Sequence, residues 1–208
     1  MPAPRLPYTG CMPVWLALLG AYVVGSVDFA VVVARSRGID IHAVGSGNPG
    51  TSNVLRTMGR GPAAMVLVGD LLKGVIAAAF GWIAAGGDPA NQPIAYAAGF
   101  CAVAGHAYPV FHRFRGGKGV ATGAGVMLFT VPLAALILAI QWAVVVRVFK
   151  VASVASLVGV AAAVPLAYLF GARGWSLGWL AAILVLIAWR HRPNIQRMLQ
   201  GSEQKVPT

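Results

Sequence analysis

Carboxylates are nearly missing from this chain. Of its 208 residues 5 are Asp or Glu, against 16 Lys or Arg, and charged residues of both signs make up only 10%. Soluble domains carry about 25% charged residues, so a water-facing globular fold is excluded. Cysteine is as scarce: the 2 cysteines, Cys11 and Cys101, lie in apolar stretches without a CxxC pair. That excludes a disulfide framework and leaves two packed thiols. Neither a metal site nor any other cofactor is expected. The nucleotide loop GxxxxGK[ST] fails, because His112 stands at the first glycine and Gly119 follows Lys118, which excludes ATP hydrolysis. A removable leader is not expected either, since the apolar run that follows "MPAPRLPYTG" continues to Ala34, too long for a signal peptide.

What is there in quantity is apolar: 58% of the residues. One membrane span takes ~20 apolar residues, so a chain of this length holds roughly seven spans with no room for a soluble domain. Residues 1–208 read as a single all-α, polytopic membrane domain. The apolar runs are Met12 to Ala34, Gly61 to Ala85, Pro93 to Phe111, Val120 to Val146, Val151 to Phe170 and Trp175 to Trp189. Pro132 sits near the middle of the fourth, which fits one long tilted helix or two short passes. The charges favour two. Basic residues gather at Arg35 to Arg60, at Arg113 to Lys118, at Arg147 and Lys150, and at Arg190 to Lys205, while the other connections hold only Arg5 and Arg173. Cytoplasmic connections carry the excess of Lys and Arg, so these clusters share the cytoplasmic face. Seven transmembrane helices follow, with the N-terminus outside and the C-terminus in the cytoplasm. Asp70 and Lys73, three residues apart in the second run, can pair. Asp28 has no partner nearby in sequence and is expected to pair with a basic residue of another span.

Three polar stretches interrupt the runs, all on the predicted cytoplasmic face. In "HAVGSGNPGTSNVLRTMGR", Gly45, Gly47, Gly50 and Gly59 permit turns that expose N–H groups. Ser46, Asn48, Thr51, Ser52 and Asn53 add small donors, and Arg56 adds a fork suited to phosphate or carboxylate. A merely flexible, solvated loop is the competing reading. In "GHAYPVFHRFRGGKGVAT", Gly116, Gly117 and Gly119 surround Lys118 where a helix opens, an arrangement that aims donors at an anion. His106 reads as a packing histidine. In "RHRPNIQRMLQGSE", Arg190, Asn194 and Arg197 recur at helical spacing, and His191 is a candidate base or phosphate ligand.

Together, GSGNPGxxNVLR, GHxxPVFxxFRGGKGVAT and RHRxNIxRxLxGxE resemble the three motifs of the bacterial acyl-phosphate:glycerol-3-phosphate acyltransferase (PlsY) family, in order and over nearly the whole chain. "GSVDFA" and "DLLKG" resemble its first two spans. The resemblance departs modestly: Ser52 stands where the family has threonine, and Asp28 where proline is common. It implies transfer of a fatty acyl group from acyl phosphate to the 1-hydroxyl of glycerol 3-phosphate, at a site facing the cytoplasm in the bacterial inner membrane. Ser46, Arg56, Lys118, His191 and Asn194 are the expected catalytic groups. Gly45, Gly47, Asn48, Thr51, Asn53, Gly116, Gly117 and Gly119 are expected to hold substrate phosphate. The expected partners are glycerol 3-phosphate, acyl phosphate, membrane lipid and functional coupling to the enzyme that makes acyl phosphate, with no nucleic acid. The HxxxxD pattern of other glycerolipid acyltransferases is absent, because Gly47, Phe111, Gly117 and Gln196 stand five residues after the histidines. An organophosphate transporter is the alternative reading, but its phosphate site belongs near the bilayer midplane. A scaffold for anionic lipid needs the charge without the glycines.

The topology is open to a direct test. In a background lacking Cys11 and Cys101, Gly171→Cys is expected to label from outside sealed vesicles and Ser202→Cys only from inside. Labelling of both from one side overturns the seven-span reading.

Overall fold

The computed structural model describes residues 12–207. Cys11, Arg5 and the expected outward N-terminus lie outside them. Among the described residues the protein is helical throughout, with no strand. The helices are α1 (Val14–Gly25), α2 (Phe29–Arg35), α3 (Thr51–Met58), α4 (Arg60–Ala85), α5 (Pro93–Ala107), α6 (Val120–Thr130), α7 (Pro132–Phe149), α8 (Ala152–Leu169), α9 (Gly174–Arg190) and α10 (Arg192–Leu199). Five stretches are long and apolar enough to cross a membrane: Val14–Arg35, Arg60–Ala85, Pro93–His112, Pro132–Phe149 and Ala152–Leu169. The pair α9 and α10, bent by 50°, makes a sixth, and α6 is shorter than a full span.

Pro132 breaks the fourth apolar run. Residues before proline avoid the helical region, and Val131 accordingly leaves it, at φ −140° and ψ 69°, ending α6 as Pro132 opens α7. Lys118, just before α6, and Lys150, at the end of α7, both lie at the polar end of the bundle, so α6 leads away from that end and α7 returns to it. The first run is also broken. Asp28, expected to pair with a distant cation, instead caps α2, its Oδ1 accepting from the Val31 N–H at 3.1 Å. An aspartate that follows a helix end is well suited to that role.

Side-chain size is sorted opposite to a soluble protein. The interior is largely alanine, as at Ala21, Ala77, Ala78, Ala98 and Ala102, while Trp15, Ile140, Leu169 and Trp175 face outward. Lipid tails solvate large apolar groups as well as the protein interior does, so close van der Waals approach between backbones decides the packing. The seam between α4 and α6 is the clearest case. A Cβ on Gly74 would stand 2.1 Å from the Thr122 carbonyl oxygen, and one on Gly125 would stand 2.1 Å from that of Leu71.

Beside this seam lies a buried polar group. Lys73 Nζ is 2.8 Å from Asp70 Oδ1, donates to the Val27 carbonyl at 3.0 Å, and lies 2.7 Å from His106 Nδ1. The expected pairing of Asp70 with Lys73 is present, and His106 joins it.

Overpacking costs ~1–3 kcal/mol. Gly74→Ala is therefore expected to lower the melting temperature in detergent by several degrees. Gly61→Ala, with nothing within 4 Å, is expected to leave it unchanged or slightly raised, which a parallel thermal scan checks.

Candidate active site

The first polar stretch folds around Asn53, which is almost fully buried. Its Oδ1 accepts from the Ser46 N–H at 2.9 Å, while Nδ2 donates to the carbonyls of Val44 at 3.1 Å and Ile41 at 3.4 Å. Gly45 and Gly47 take left-handed φ values of +58° and +67°. At Gly45 a Cβ would press on Asn53 Oδ1, so glycine is required there on both counts. The Gly47 N–H donates back to Val44. The loop's own hydrogen bonds thus consume the Asn53 amide and the N–H groups of Ser46 and Gly47. Ser46, Asn48, Thr51 and Arg56 line the cavity, together with Gly50, Ser52 and Asn53. The Arg56 Nε is buried and has no partner among the described residues.

The second stretch is held from two sides. Gly117 donates its N–H to the His106 carbonyl at 3.0 Å. Arg190 reaches 73 and 74 residues back along the chain, donating from Nε to the Gly117 carbonyl at 3.0 Å and from Nη2 to that of Gly116 at 2.7 Å. Its guanidinium also lies over the Tyr108 ring, 5.2 Å from the centroid. Gly119, at φ +85°, turns the chain into α6. Of the expected backbone donors Gly117 spends its N–H on the His106 carbonyl, Gly116 and Gly119 line the cavities, and Lys118 carries its charge into both. Burial lowers the Lys118 ammonium to about 8, with Arg197, Arg56 and Arg190 pushing the same way and Glu203 opposing them.

His191 and Asn194 sit at the bend between α9 and α10. The Ile187 carbonyl takes the Nδ1–H of His191 at 2.8 Å, which leaves the Nε2 lone pair as the ring's free polar atom. Burial holds His191 down at about 4, so the ring is neutral near pH 7. Asn194 Nδ2 donates to Glu203 Oε1 at 2.5 Å, and its Oδ1 is buried without a partner among the described residues.

Glu203 was assigned no role from the sequence. It also receives Ser153 Oγ at 2.8 Å and Arg197 Nε at 2.8 Å. Burial alone would raise its carboxyl, but these donors hold it below the ordinary glutamate range. Three residues on, the Val206 N–H donates to the Lys150 carbonyl at 2.8 Å, tying the tail to the turn between α7 and α8. The sequence signal was available: Glu203 is the lone carboxylate in an arginine-rich stretch.

Two cavities meet at these residues. One, of about 420 Å³, runs from Arg56, Lys118, His191 and Asn194 into an apolar slot lined by Met127, Leu138, Ala163 and Leu180. The other, of about 550 Å³, opens over Arg115, Arg190, Arg192 and Arg197. Ser46, Asn48, Lys118 and Asn194 line both. Of the expected phosphate ligands, Gly45 and Gly117 line neither cavity and lie behind the loops.

A cationic neck joining a polar vestibule to an apolar slot, at one end of a membrane-embedded helical bundle, defines a multi-pass membrane protein suited to an amphiphile with an anionic head. Residues 15–201 match the family model described as glycerol-3-phosphate acyltransferase. Curated relatives of that name include one from Burkholderia vietnamiensis (strain G4 / LMG 22486), 43% identical over 94% of this chain and 92% of its own. Another, from Burkholderia cenocepacia (strain HI2424), is 44% identical over the same shares. Among solved structures, PlsY (YgiH), an integral membrane glycerol 3-phosphate acyltransferase, in its glycerol 3-phosphate form superposes with a TM-score of 0.88 at 35% identity, covering 94% of this chain and 96% of that one. Its lysophosphatidic acid form gives 0.83 at 34% identity over the same shares. The chain belongs to the glycerol-3-phosphate acyltransferase family. The resemblance drawn from the three motifs is confirmed.

Hydrogen bonds to a charged group contribute about 1.5–3 kcal/mol each when buried, and less at a partly exposed site. Glu203→Gln is expected to destabilise the protein by about 1–3 kcal/mol and to free the tail to proteolysis. Because the folded carboxyl ionises below its unfolded value, the charge-linked part of this stability is present above the unfolded value and is lost as pH falls through the folded one. Melting curves of both proteins from pH 7 to pH 3 are expected to converge toward the acid end.

Proposed function

We propose that this chain transfers a fatty acyl group from acyl phosphate to the 1-hydroxyl of glycerol 3-phosphate, yielding lysophosphatidic acid and phosphate in the first step of bacterial phospholipid synthesis. The observation that carries this reading is the cationic neck: Lys118 lines both the polar vestibule and the cavity that runs into the apolar slot, and Arg56 lines the latter beside it. Both substrates carry phosphate, so two anionic heads must be held near one another, and clustered cations offset their repulsion. The slot suits the acyl chain. Glycerol 3-phosphate and lysophosphatidic acid each name a form of the related PlsY structure. An organophosphate transporter fits less well, because the cations cluster at one end of the bundle rather than at its middle.

We read the bundle as seven passes in the bacterial inner membrane, with the site on the cytoplasmic side. In that reading α6 crosses as a short inner helix sheltered by its neighbours, which preserves the out-and-back path of α6 and α7. Acyl phosphate is a mixed anhydride already activated for transfer, so positioning and charge stabilisation remain as the protein's tasks. It is also reactive toward water, which favours functional coupling to the enzyme that makes it.

In the reaction the substrate hydroxyl attacks the acyl carbonyl carbon, the bond from that carbon to the phosphate oxygen breaks, and inorganic phosphate leaves with the electron pair. Ser46, Asn48, Thr51 and Arg56 from one loop, and Lys118 from the other, hold the two heads, with Lys118 facing the developing negative charge. His191 Nε2 accepts a hydrogen bond from the neighbouring, non-reacting hydroxyl of glycerol 3-phosphate and so orients the attacking one, whose proton passes to the substrate's own phosphate, and Asn194 completes the wall beside it. With its ring at about 4, His191 is a weaker base than a phosphate monoester, whose second ionisation lies near ~6. The substrate's own phosphate is the better proton acceptor, and His191 orients the hydroxyl.

Purified protein given acyl phosphate and glycerol 3-phosphate is expected to release phosphate and lysophosphatidic acid in equal amounts. Absence of product from folded protein overturns the proposal. Lys118→Met is expected to lower kcat/KM on the order of a hundredfold or more. In the wild type an alkaline limb near pH 8 is expected, as Lys118 loses its proton. His191→Ala is expected to lower activity while the acidic limb near pH ~6 persists; loss of that limb at unchanged KM assigns the base to His191 instead.

A further inference from the structure

The buried group of Asp70, Lys73 and His106 takes no part in the chemistry above, yet it is expensive: three ionisable side chains inside a helical bundle need a reason beyond packing. Its geometry connects it to the site. Lys73 spends its donors on Asp70, on the Val27 carbonyl and on His106 Nδ1. His106 therefore accepts at Nδ1 and carries its proton on Nε2.

That edge of the ring lies under the Lys118 loop. A Cβ on Gly117 would fall 2.2 Å from His106 Nε2, and one on Gly116 would fall 2.0 Å from the His106 carbonyl oxygen. The same carbonyl accepts the Gly117 N–H at 3.0 Å. On the opposite side Arg190 holds the carbonyls of Gly116 and Gly117. Asp70 and His106 both border the cavity that Lys118 enters.

We infer that Asp70, Lys73 and His106 form a positioning device for the Lys118 loop: the ion pair fixes the His106 ring, and the ring and its carbonyl set the depth at which Gly117 and Lys118 sit. Arg190 is the opposing jaw. The three act through Lys118 and touch no reacting atom. Plain structural filler would require volume at these positions; a positioning device requires the acceptor at Nδ1 and the ring beneath Gly117. The inference deepens the proposed reaction and rests on the role given there to Lys118.

The test reads Lys118 without turnover. Trace acylation of its amine by acetic anhydride, followed across pH by peptide mass spectrometry with exposed Lys150 as internal reference, reports how far the group is buried. The charged and titratable groups facing it are Glu203 and Arg197 from the tail and α10, Arg56 from α3, Arg190 from α9 and neutral His191; none is altered. The wild-type midpoint is expected near 8. Two variants release the ring, His106→Ala and the double variant Asp70→Leu with Lys73→Met, the latter because an apolar pair of similar volume often preserves stability. In both, the midpoint is expected to rise by about one pH unit or more as Lys118 gains water. Turnover, kcat/KM, is expected to fall roughly tenfold to a hundredfold. His106→Asn, which keeps an acceptor for Lys73, is expected to lie closer to the wild type.

Variants that melt normally and retain both the midpoint and kcat/KM overturn the inference. Should both releasing variants fail to fold, His106→Phe decides by the same two measurements, since it keeps a ring beneath Gly117 and removes the Nδ1 acceptor while Asp70 and Lys73 stay in place; wild-type values for both overturn the inference. A wild type that rejects acyl phosphate refutes the proposed reaction alone, and the labelling still scores the device.

Discussion

Mutual repulsion of cations is the constraint on which the rest of this structure depends. Arg56, Lys118, Arg190 and Arg197 converge on one neck, with Glu203 as the neighbouring carboxylate that opposes them. In a partly buried setting such a cluster is costly, because low polarity strengthens like-charge repulsion as readily as attraction. The chain meets part of the cost by giving two of these four cations a fixed local task. Arg190 is turned onto backbone carbonyls, and Arg197 is paired with Glu203. Lys118 and Arg56 retain charge without a hydrogen-bonded carboxylate, which in the proposed reaction an anionic substrate offsets.

The packing serves the same end. Small residues at the seam of α4 and α6 let those backbones approach until a single methyl would not fit. That closeness brings the buried ion pair of α4, the end of α5 and the loop before α6 into one compact cluster. Large side chains face outward, where lipid solvates them, so the interior is free to hold polar groups against one another. The first polar loop is then shaped mainly by its own internal hydrogen bonds around Asn53, and the second by His106 and Arg190.

Much of this was legible in the residues, and the parts that were not share a cause. Apolar runs, basic clusters and Pro132 act locally, so helix positions, the break before α7 and the gathering of the polar stretches at one end could be read directly. The identities of Ser46, Arg56, Lys118, His191 and Asn194 were legible through the motifs, and the structure brings them to one pair of cavities. Asp28 was misread, because a carboxylate in an apolar run looks as though it needs a cation, when a helix break beside it offers free N–H groups. Gly116 and Gly117 looked like donors toward an anion. For Gly117 the N–H is taken instead by the His106 carbonyl, a partner that only the fold brings to it. Glu203 was hidden for the same reason: its partners Ser153 and Asn194 are brought to it by the fold.

The shortness of α6 has its own consequence. Gly74 lies against Thr122, and on α4 it stands about 20 Å from Arg60 at 1.5 Å per residue. The candidate site is therefore a well recessed below the level of Arg60 that opens at the polar end of the bundle, rather than a groove on its surface. Mobile salt ions penetrate such a well poorly, so its field survives ionic strengths that would mask an exposed basic patch. In the proposed reaction a water-soluble head group has to descend into it and shed hydration on the way, while a lipid tail meets the same depth from the side, already dry.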